Sequence, residues 1–403
     1  MSATPAVDCR EIAAHWNLDP AVAHLNHGSF GACPRPVLAQ QDALRARLEA
    51  EPTGFISHEL EGLYDAARAR LAAFLGATPE DLAFVPNATH GVNTVLRALR
   101  LAPGDGLLLT DHAYNAVGNA ARYVAEREGL ELVVARVPFP LADPGEAVDA
   151  VLAAVTPRTR LAILDHVTSP TALRLPLEQL VPALAAGGID TLVDGAHAPG
   201  MLPLDLDALG AAYYTGNCHK WLCAPKGAAF LHVRRDRQAG IRPLAISHGA
   251  NSPRTDRSRF ELEFGWSGTV DPTPWLCIPA ALDFLGGLLP GGWPALLERN
   301  HAASVALRAR LCALLGVPPP CPDGMLGSLF ALPLPAGIEP LPGPVPDPLR
   351  DHLFDRFGVR AVVSSWPAPP SRWLRVSTHV YNGAADFARL ADALRELQTA
   401  AEA

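Results

Sequence analysis

Lysine is nearly absent from this chain. Among 403 residues it occurs twice, at Lys220 and Lys226, and the rest of the 33 basic side chains are arginine. A guanidinium serves wherever positive charge is enough, but it neither loses its proton near neutral pH nor attacks a carbonyl. Lysines kept against such a background are candidates for amine chemistry, with a surface charge and a buried ion pair as the plainer alternatives. Basic charge is also scarce overall. With 41 acidic side chains the formal net charge is −8, which argues against a basic face for nucleic acid. The seven cysteines are odd in number and contain no Cys-x-x-Cys pair. That pattern argues against a disulfide framework or a metal site and for a reducing cytoplasm. No apolar run free of charges reaches the roughly 18 residues of a membrane span. Met1–Arg10 lacks the apolar stretch of a secretory signal. A soluble cytoplasmic protein is expected, with no membrane and no nucleic-acid partner.

What is present is apolar patterning. Hydrophobic residues make up 49% of the chain, enough for a large core. Leu60, Leu63, Ala67, Leu71 and Phe74 recur at helical spacing and predict an amphipathic helix over 58–75. Short apolar runs follow at Leu82–Pro86, Leu107–Thr110, Leu130–Val137, Leu161–Val167, Thr191–Asp194 and Ala228–Val233. Between them lie helical stretches near 90–100, 115–128, 145–155 and 176–187. This alternation predicts an α/β fold with a mainly parallel sheet covered on both faces, and ligands at the carboxyl ends of its strands. After residue 275 the character changes. Helices are predicted at 278–289 and 294–315, then a Pro-rich stretch at 317–348, read as ordered loops around a strand at Leu326–Leu332. A helix near 348–357, strands at 359–363 and 373–377 and a last helix from about 384 complete the chain. The expected organisation is an N-terminal arm (1–24), a large α/β domain (25–275) and a smaller α+β domain (276–403).

Four segments beside predicted strand ends carry chemistry. Phe84-Val-Pro-Asn-Ala-Thr-His-Gly-Val-Asn93 reads as strand, polar turn and helix start, suited to a phosphate or to an ordinary N-cap by Asn87 or Thr89. Thr110-Asp-His-Ala-Tyr-Asn115 offers the imidazole of His112 and the phenol of Tyr114, either able to stack on a flat ring; a structural histidine is the alternative. Asp194 ends a buried strand in Thr191-Leu-Val-Asp-Gly-Ala-His-Ala-Pro199, where it needs a cation or a protonated nitrogen. A helix cap or a metal ligand would also account for it, although no second carboxylate or cysteine accompanies it at ligand spacing. The fourth segment is the lysine run, Thr215–Gly227. An amine, an anion nest and a carboxylate are what a phosphorylated aldehyde cofactor with a ring nitrogen requires.

With Leu25-Asn-His-Gly-Ser-Phe-Gly31 and Arg375-Val-Ser-Thr-His-Val-Tyr-Asn382, these marks resemble pyridoxal-phosphate enzymes of fold type I, the class V aminotransferase group. Within it the chain is most similar to the isopenicillin N epimerase-like branch, from about residue 22 to 395. The resemblance implies a mainly parallel seven-stranded sheet in the large domain and pyridoxal 5'-phosphate as cofactor. Lys220 would bind its aldehyde, Asp194 would pair with the pyridine nitrogen, and His197 would sit near the phenolic oxygen. His112 would stack on the ring as a catalytic group, with Tyr114 as second candidate. Ala88, Thr89, Asn217 and His219 would cradle the phosphate, joined by Thr269 from the neighbouring subunit of a homodimer with shared sites. Arg375 would clamp the substrate carboxylate, with Asn26, His27 and Ser29 nearby in the substrate site. No metal is implied.

One departure is clear. Cysteine desulfurases of this group carry a persulfide-forming cysteine shortly before that arginine, and Val359–Arg375 contains none. The implied function is action at the α-carbon of an amino acid or peptide through a Cα carbanion, as in the epimerase-like branch. Carbon–sulfur β-elimination from a cysteine conjugate is the alternative, ahead of transamination or a non-catalytic scaffold. Epimerisation needs an acid on the second face, for which Tyr114 or a bound water is available. The recognition loops at 27–35, 53–58, 247–260 and 364–372 carry no legible substrate code.

Overall fold

The computed structural model describes residues 9–334 and 347–402, so the first part of the expected arm and part of the Pro-rich stretch lie outside the described residues. The apolar runs become strands β1 (Leu82–Val85), β2 (Gly106–Thr110), β3 (Glu131–Ala135), β4 (Thr159–Asp165), β5 (Asp190–Asp194) and β7 (Ala229–Val233). A further strand, β6 (Tyr213–Asn217), completes a seven-stranded sheet of order β1-β7-β6-β5-β4-β2-β3. All neighbours are parallel except β7, which runs against both β1 and β6. Side chains alternate between the two faces as the period of a strand requires. Leu107, Leu109, Leu161, Ile163, Leu192 and Tyr213 join one apolar cluster, with Val92, Val95, Val117 and Val124 of the covering helices. Leu108, Ala162, Leu164, Val193 and Tyr214 point into the larger core on the other side. The longer helices of this part are α1 (Arg35–Ala50), α2 (Leu60–Leu75), α3 (Ala88–Ala98), α4 (Asn115–Glu128), α5 (Pro144–Ala153) and α6 (Leu177–Ala186). No helix among the described residues is long and apolar enough to cross a membrane.

The C-terminal part holds helices α7 (Ile278–Gly286), α8 (Gly292–Leu315), α9 (Leu349–Phe357) and α10 (Ala384–Glu402). They accompany a three-stranded antiparallel sheet of β8 (Leu329–Pro333), β9 (Val362–Ser365) and β10 (Arg372–Ser377), in the order β9-β10-β8. The N-terminal segment is stitched to this part first. Ala23–His24 pair in parallel with Val359–Arg360, and the Ser377 N–H donates to Leu25 O at 2.8 Å. The chain then passes beneath the Lys220 turn. Gly31 makes that crossing possible: it has φ +69°, and a Cβ there would lie 2.0 Å from His219 O.

Candidate active site

A cavity of about 390 Å³ opens at the carboxyl ends of β1, β2, β4, β5 and β6, where their loops converge. Lys220 reaches it from the turn after β6. Its amine stands 3.4 Å from His197 Nε2 and is pulled down to about 8, chiefly by burial and then by the Arg375 charge, against the opposing pull of Asp194. Asp194, at the end of β5, is buried and accepts the Ala196 N–H at 2.9 Å. Burial raises its carboxyl above the ordinary range. His197 is held well below its ordinary value by burial and then by Lys220 and Arg375, so its imidazole is neutral.

The anion nest lies at the start of α3. Asn87 caps the helix by accepting the His90 N–H at 2.8 Å, and Asn217 Oδ1 accepts the Ala88 N–H at 2.8 Å. Ala88 therefore has its amide engaged, and among the described residues the Thr89 N–H is the first-turn donor without an acceptor. The helix approaches the sheet this closely through Gly91, where a Cβ would sit 2.1 Å from Thr215 Oγ1. His219 donates Nδ1–H to Ala228 O at 3.0 Å, which fixes the tautomer that leaves Nε2 as acceptor. Burial pulls it down to about 4.

Arg375 enters from β10 and is 5% exposed. Its Nη1 donates to Ser169 O at 2.7 Å and Ser169 Oγ at 3.1 Å, and its Nη2 to Ser29 Oγ at 2.9 Å. Ser29 in turn donates to Asn26 Oδ1 at 2.6 Å, so Asn26 orients the serine and Ser29 orients the guanidinium. Among the described residues no carboxylate pairs with Arg375, and its Nε has no partner. Burial lowers it to about 10. A buried cation without an anion is a receptor for one.

Not every expected residue gathers here. His112 does not line the cavity. It is fully buried, accepts from Thr171 Oγ1 at 2.6 Å, donates to Val137 O at 3.0 Å and packs at 4.2 Å against Trp366. With both nitrogens bonded, it is a structural support, and of the two expected stacking candidates Tyr114 is the one that borders the cavity. His27 is likewise buried and does not line the cavity. Its Nε2–H donates to Lys220 O at 3.0 Å, and its Nδ1 accepts from Tyr381 Oη at 2.8 Å, so it holds the Lys220 backbone. Thr269 is exposed and lies outside this cavity, on the segment that borders a second one of about 500 Å³ lined by α2 and residues 254–270. Lining residues outside the expected set include Asp165, Ser169 and Phe30, the last 75% exposed. Asp165 lies inside the apolar run Leu161–Val167, Ser169 just after it and Phe30 within the Leu25–Gly31 motif, so a strand end was the available signal for the first two.

The donor set fits pyridoxal phosphate. A half-buried lysine amine at about 8, a buried carboxyl and, among the described residues, an unpartnered helix N-terminal amide and an arginine with no carboxylate partner share one cavity. Comparison with known proteins agrees. The family model described as Aminotransferase class-V matches residues 33–312. The chain is 41% identical to the isopenicillin N epimerase of Amycolatopsis lactamdurans, over 98% of this chain and 100% of that one. It is 30% identical to a probable chloroplastic L-cysteine desulfhydrase of Arabidopsis thaliana, over 94% and 83%. The fold matches that of C-DES, a cystine C–S lyase solved with glycine covalently linked to its cofactor, with TM-score 0.81 and 22% identity over 98% and 100% of the two chains. An apo cysteine desulfurase from Thermococcus onnurineus NA1 gives TM-score 0.80 at 19% identity, over 99% and 100%. The chain belongs to the class-V aminotransferase family, with pyridoxal phosphate as its cofactor.

Proposed function

We propose that this protein inverts the α-carbon of an amino acid or of a peptide bearing a free α-amino acid group, as the name of its epimerase relatives describes. The observation that carries the reading is Arg375, a buried guanidinium with no carboxylate, in one cavity with the Lys220 amine. Bound pyridoxal phosphate supplies an electron sink that acidifies the Cα–H bond of an attached amino acid. Lys220 and Asp194 would hold its aldehyde carbon and ring nitrogen, and Thr89, Asn217 and His219 its phosphate. Arg375, braced by Ser29 and Ser169, would take the substrate carboxylate in a two-pronged bond. Lys220 would accept the Cα proton, because an amine at about 8 is partly neutral at working pH. Tyr114 borders the cavity, is 44% exposed and bears on the Arg375 charge, so its phenol is the chain's own candidate for returning a proton on the other face.

Carbon–sulfur elimination is the second reading, favoured by the desulfhydrase relatives at 29–30% identity. Among the described residues no cysteine lines the cavity, so sulfur would have to leave as a free fragment. Two further features belong to this proposal. Thr269 sits exposed between Gly268 and Val270, which border the second cavity, and this supports a homodimer in which Thr269 reaches the neighbouring site. Seven unpaired thiols suit a reducing cytoplasm. The test is a screen of L-amino acids, short peptides and cysteine conjugates, scoring inverted product, keto acid, pyruvate and sulfide together. Inversion without keto acid is expected. Rapid cleavage of cysteine conjugates with no inversion of any substrate would replace the first reading with the second.

A further inference from the structure

Two carboxyl groups stand at the floor of the cavity, although one cationic ring nitrogen can neutralise only one. Asp165 ends β4 and Asp194 ends β5, and the two are register partners on adjacent parallel strands. The alternation that sends Leu161, Ile163 and Leu192 to one face of the sheet sends Asp165 and Asp194 to that same face. Both line the cavity, at 3% and 4% exposure. We infer that Asp165 is a positioning residue that carries a proton beside the ionised Asp194, so that the pair keeps a single negative charge under the cofactor ring.

The surroundings of Asp165 support this. Among the described residues no arginine or lysine bears on it. Burial first, and then the charge of Asp194, push its carboxyl well above the ordinary range, against backbone N–H groups at Tyr114 and Asp165 that favour ionisation. The other charged or titratable groups at the cavity are Tyr114 from the loop before α4, His197 after β5, His219 and Lys220 after β6, and Arg375 from β10. Lys220 bears on Asp194, and neither Lys220 nor Arg375 bears on Asp165. The proton therefore belongs on Asp165 and the charge on Asp194. A neutral acid there supplies an O–H dipole to a carboxylate whose one protein donor among the described residues is the Ala196 N–H. The inference rests on the cofactor assignment and not on whether inversion or elimination follows.

Infrared difference spectroscopy of the holoenzyme at neutral pH tests it. Asp165→Asn should remove one protonated-carboxyl C=O band, which Asp194→Asn leaves in place. Cofactor affinity, read from the visible absorbance, should change by no more than about threefold in Asp165→Asn, which keeps a neutral hydrogen-bond donor. It should fall about tenfold or more in Asp165→Leu, which has none. A band that survives Asp165→Asn would overturn the inference, as would an Asn variant that binds cofactor as weakly as the Leu variant. Should Asp165→Leu fail to fold, the band in wild type and Asp165→Asn still decides. The cofactor assignment fails separately, if borohydride traps nothing on Lys220, and the same spectra then still decide which acid holds the proton.

Discussion

Lys220 should titrate near pH 8. Burial and Arg375 together bring its amine from 10.5 to about 8. At pH 7 roughly one amine in ten is then neutral, against about one in 3,000 for an ordinary lysine, a gain of roughly 300-fold in reactive nucleophile. The assay is pulse acylation of the apoprotein with a small neutral reagent between about pH 6 and 10, with peptide mapping of Lys220. Two lysines in the whole chain make that map simple. Arg375→Leu should move the midpoint upward, because it removes the second-largest cause of the depression. Stability carries the same signature. Below pH 8 the native chain holds a charged, buried amine at full cost, and the cost is relieved as pH rises from 8 to 10.5, where the unfolded chain binds more protons. The whole shift is worth about 3 kcal/mol. Lys220→Met apoprotein should therefore exceed wild type in stability at pH 7 by up to about that amount, with the gap closing at high pH. A labelling midpoint near 10.5, or a gap indifferent to pH, would refute the reasoning.

Ser29→Ala removes a hydrogen bond to the charged Arg375, worth about 1.5–3 kcal/mol, and should appear as a fall of roughly ten- to a hundredfold in kcat/KM. An unchanged value would mean that Ser169 alone positions the guanidinium. His27→Phe preserves ring shape but strips the bonds to Lys220 O and Tyr381 Oη, so calorimetry should record a loss of about 1–3 kcal/mol. A stability equal to wild type would show that His27 does not hold the lysine turn. If Thr269 crosses a subunit interface, mixing inactive Lys220→Ala chains with impaired Thr269→Ala chains should restore activity, since one site of each mixed dimer carries neither defect. Demonstrated subunit exchange without recovery would place Thr269 outside the neighbouring site.

The strands were legible where apolar residues run unbroken. Leu107–Thr110 and Thr191–Asp194 read directly as buried parallel strands and end where the chemistry begins. The strand Tyr213–Asn217 escaped because Thr215, Gly216 and Asn217 break its apolar pattern, although every residue of it is buried. Helix α1 escaped because its buried stripe is Val37, Gln41 and Leu44, too sparse to show a period. At the site, Lys220 and Asp194 follow from residue type and order and Arg375 from the family resemblance, and all three line one cavity. His27 and His112 illustrate what motif reading leaves out: a position near the site does not fix the direction of a side chain. Both histidines turn into the protein and bond to backbone carbonyls. Asp165 was hidden in an apolar run, and only sheet register, a long-range property, sets it beside Asp194.

The most direct test of the central claim follows the Cα proton in heavy water with the holoenzyme and a productive substrate. Exchange for deuterium, return of deuterated amino acid of inverted configuration, no keto acid, and loss of both exchange and inversion in Lys220→Ala are expected. Inversion that retains the original proton at Cα without exchange, or turnover that survives Lys220→Ala, would contradict it.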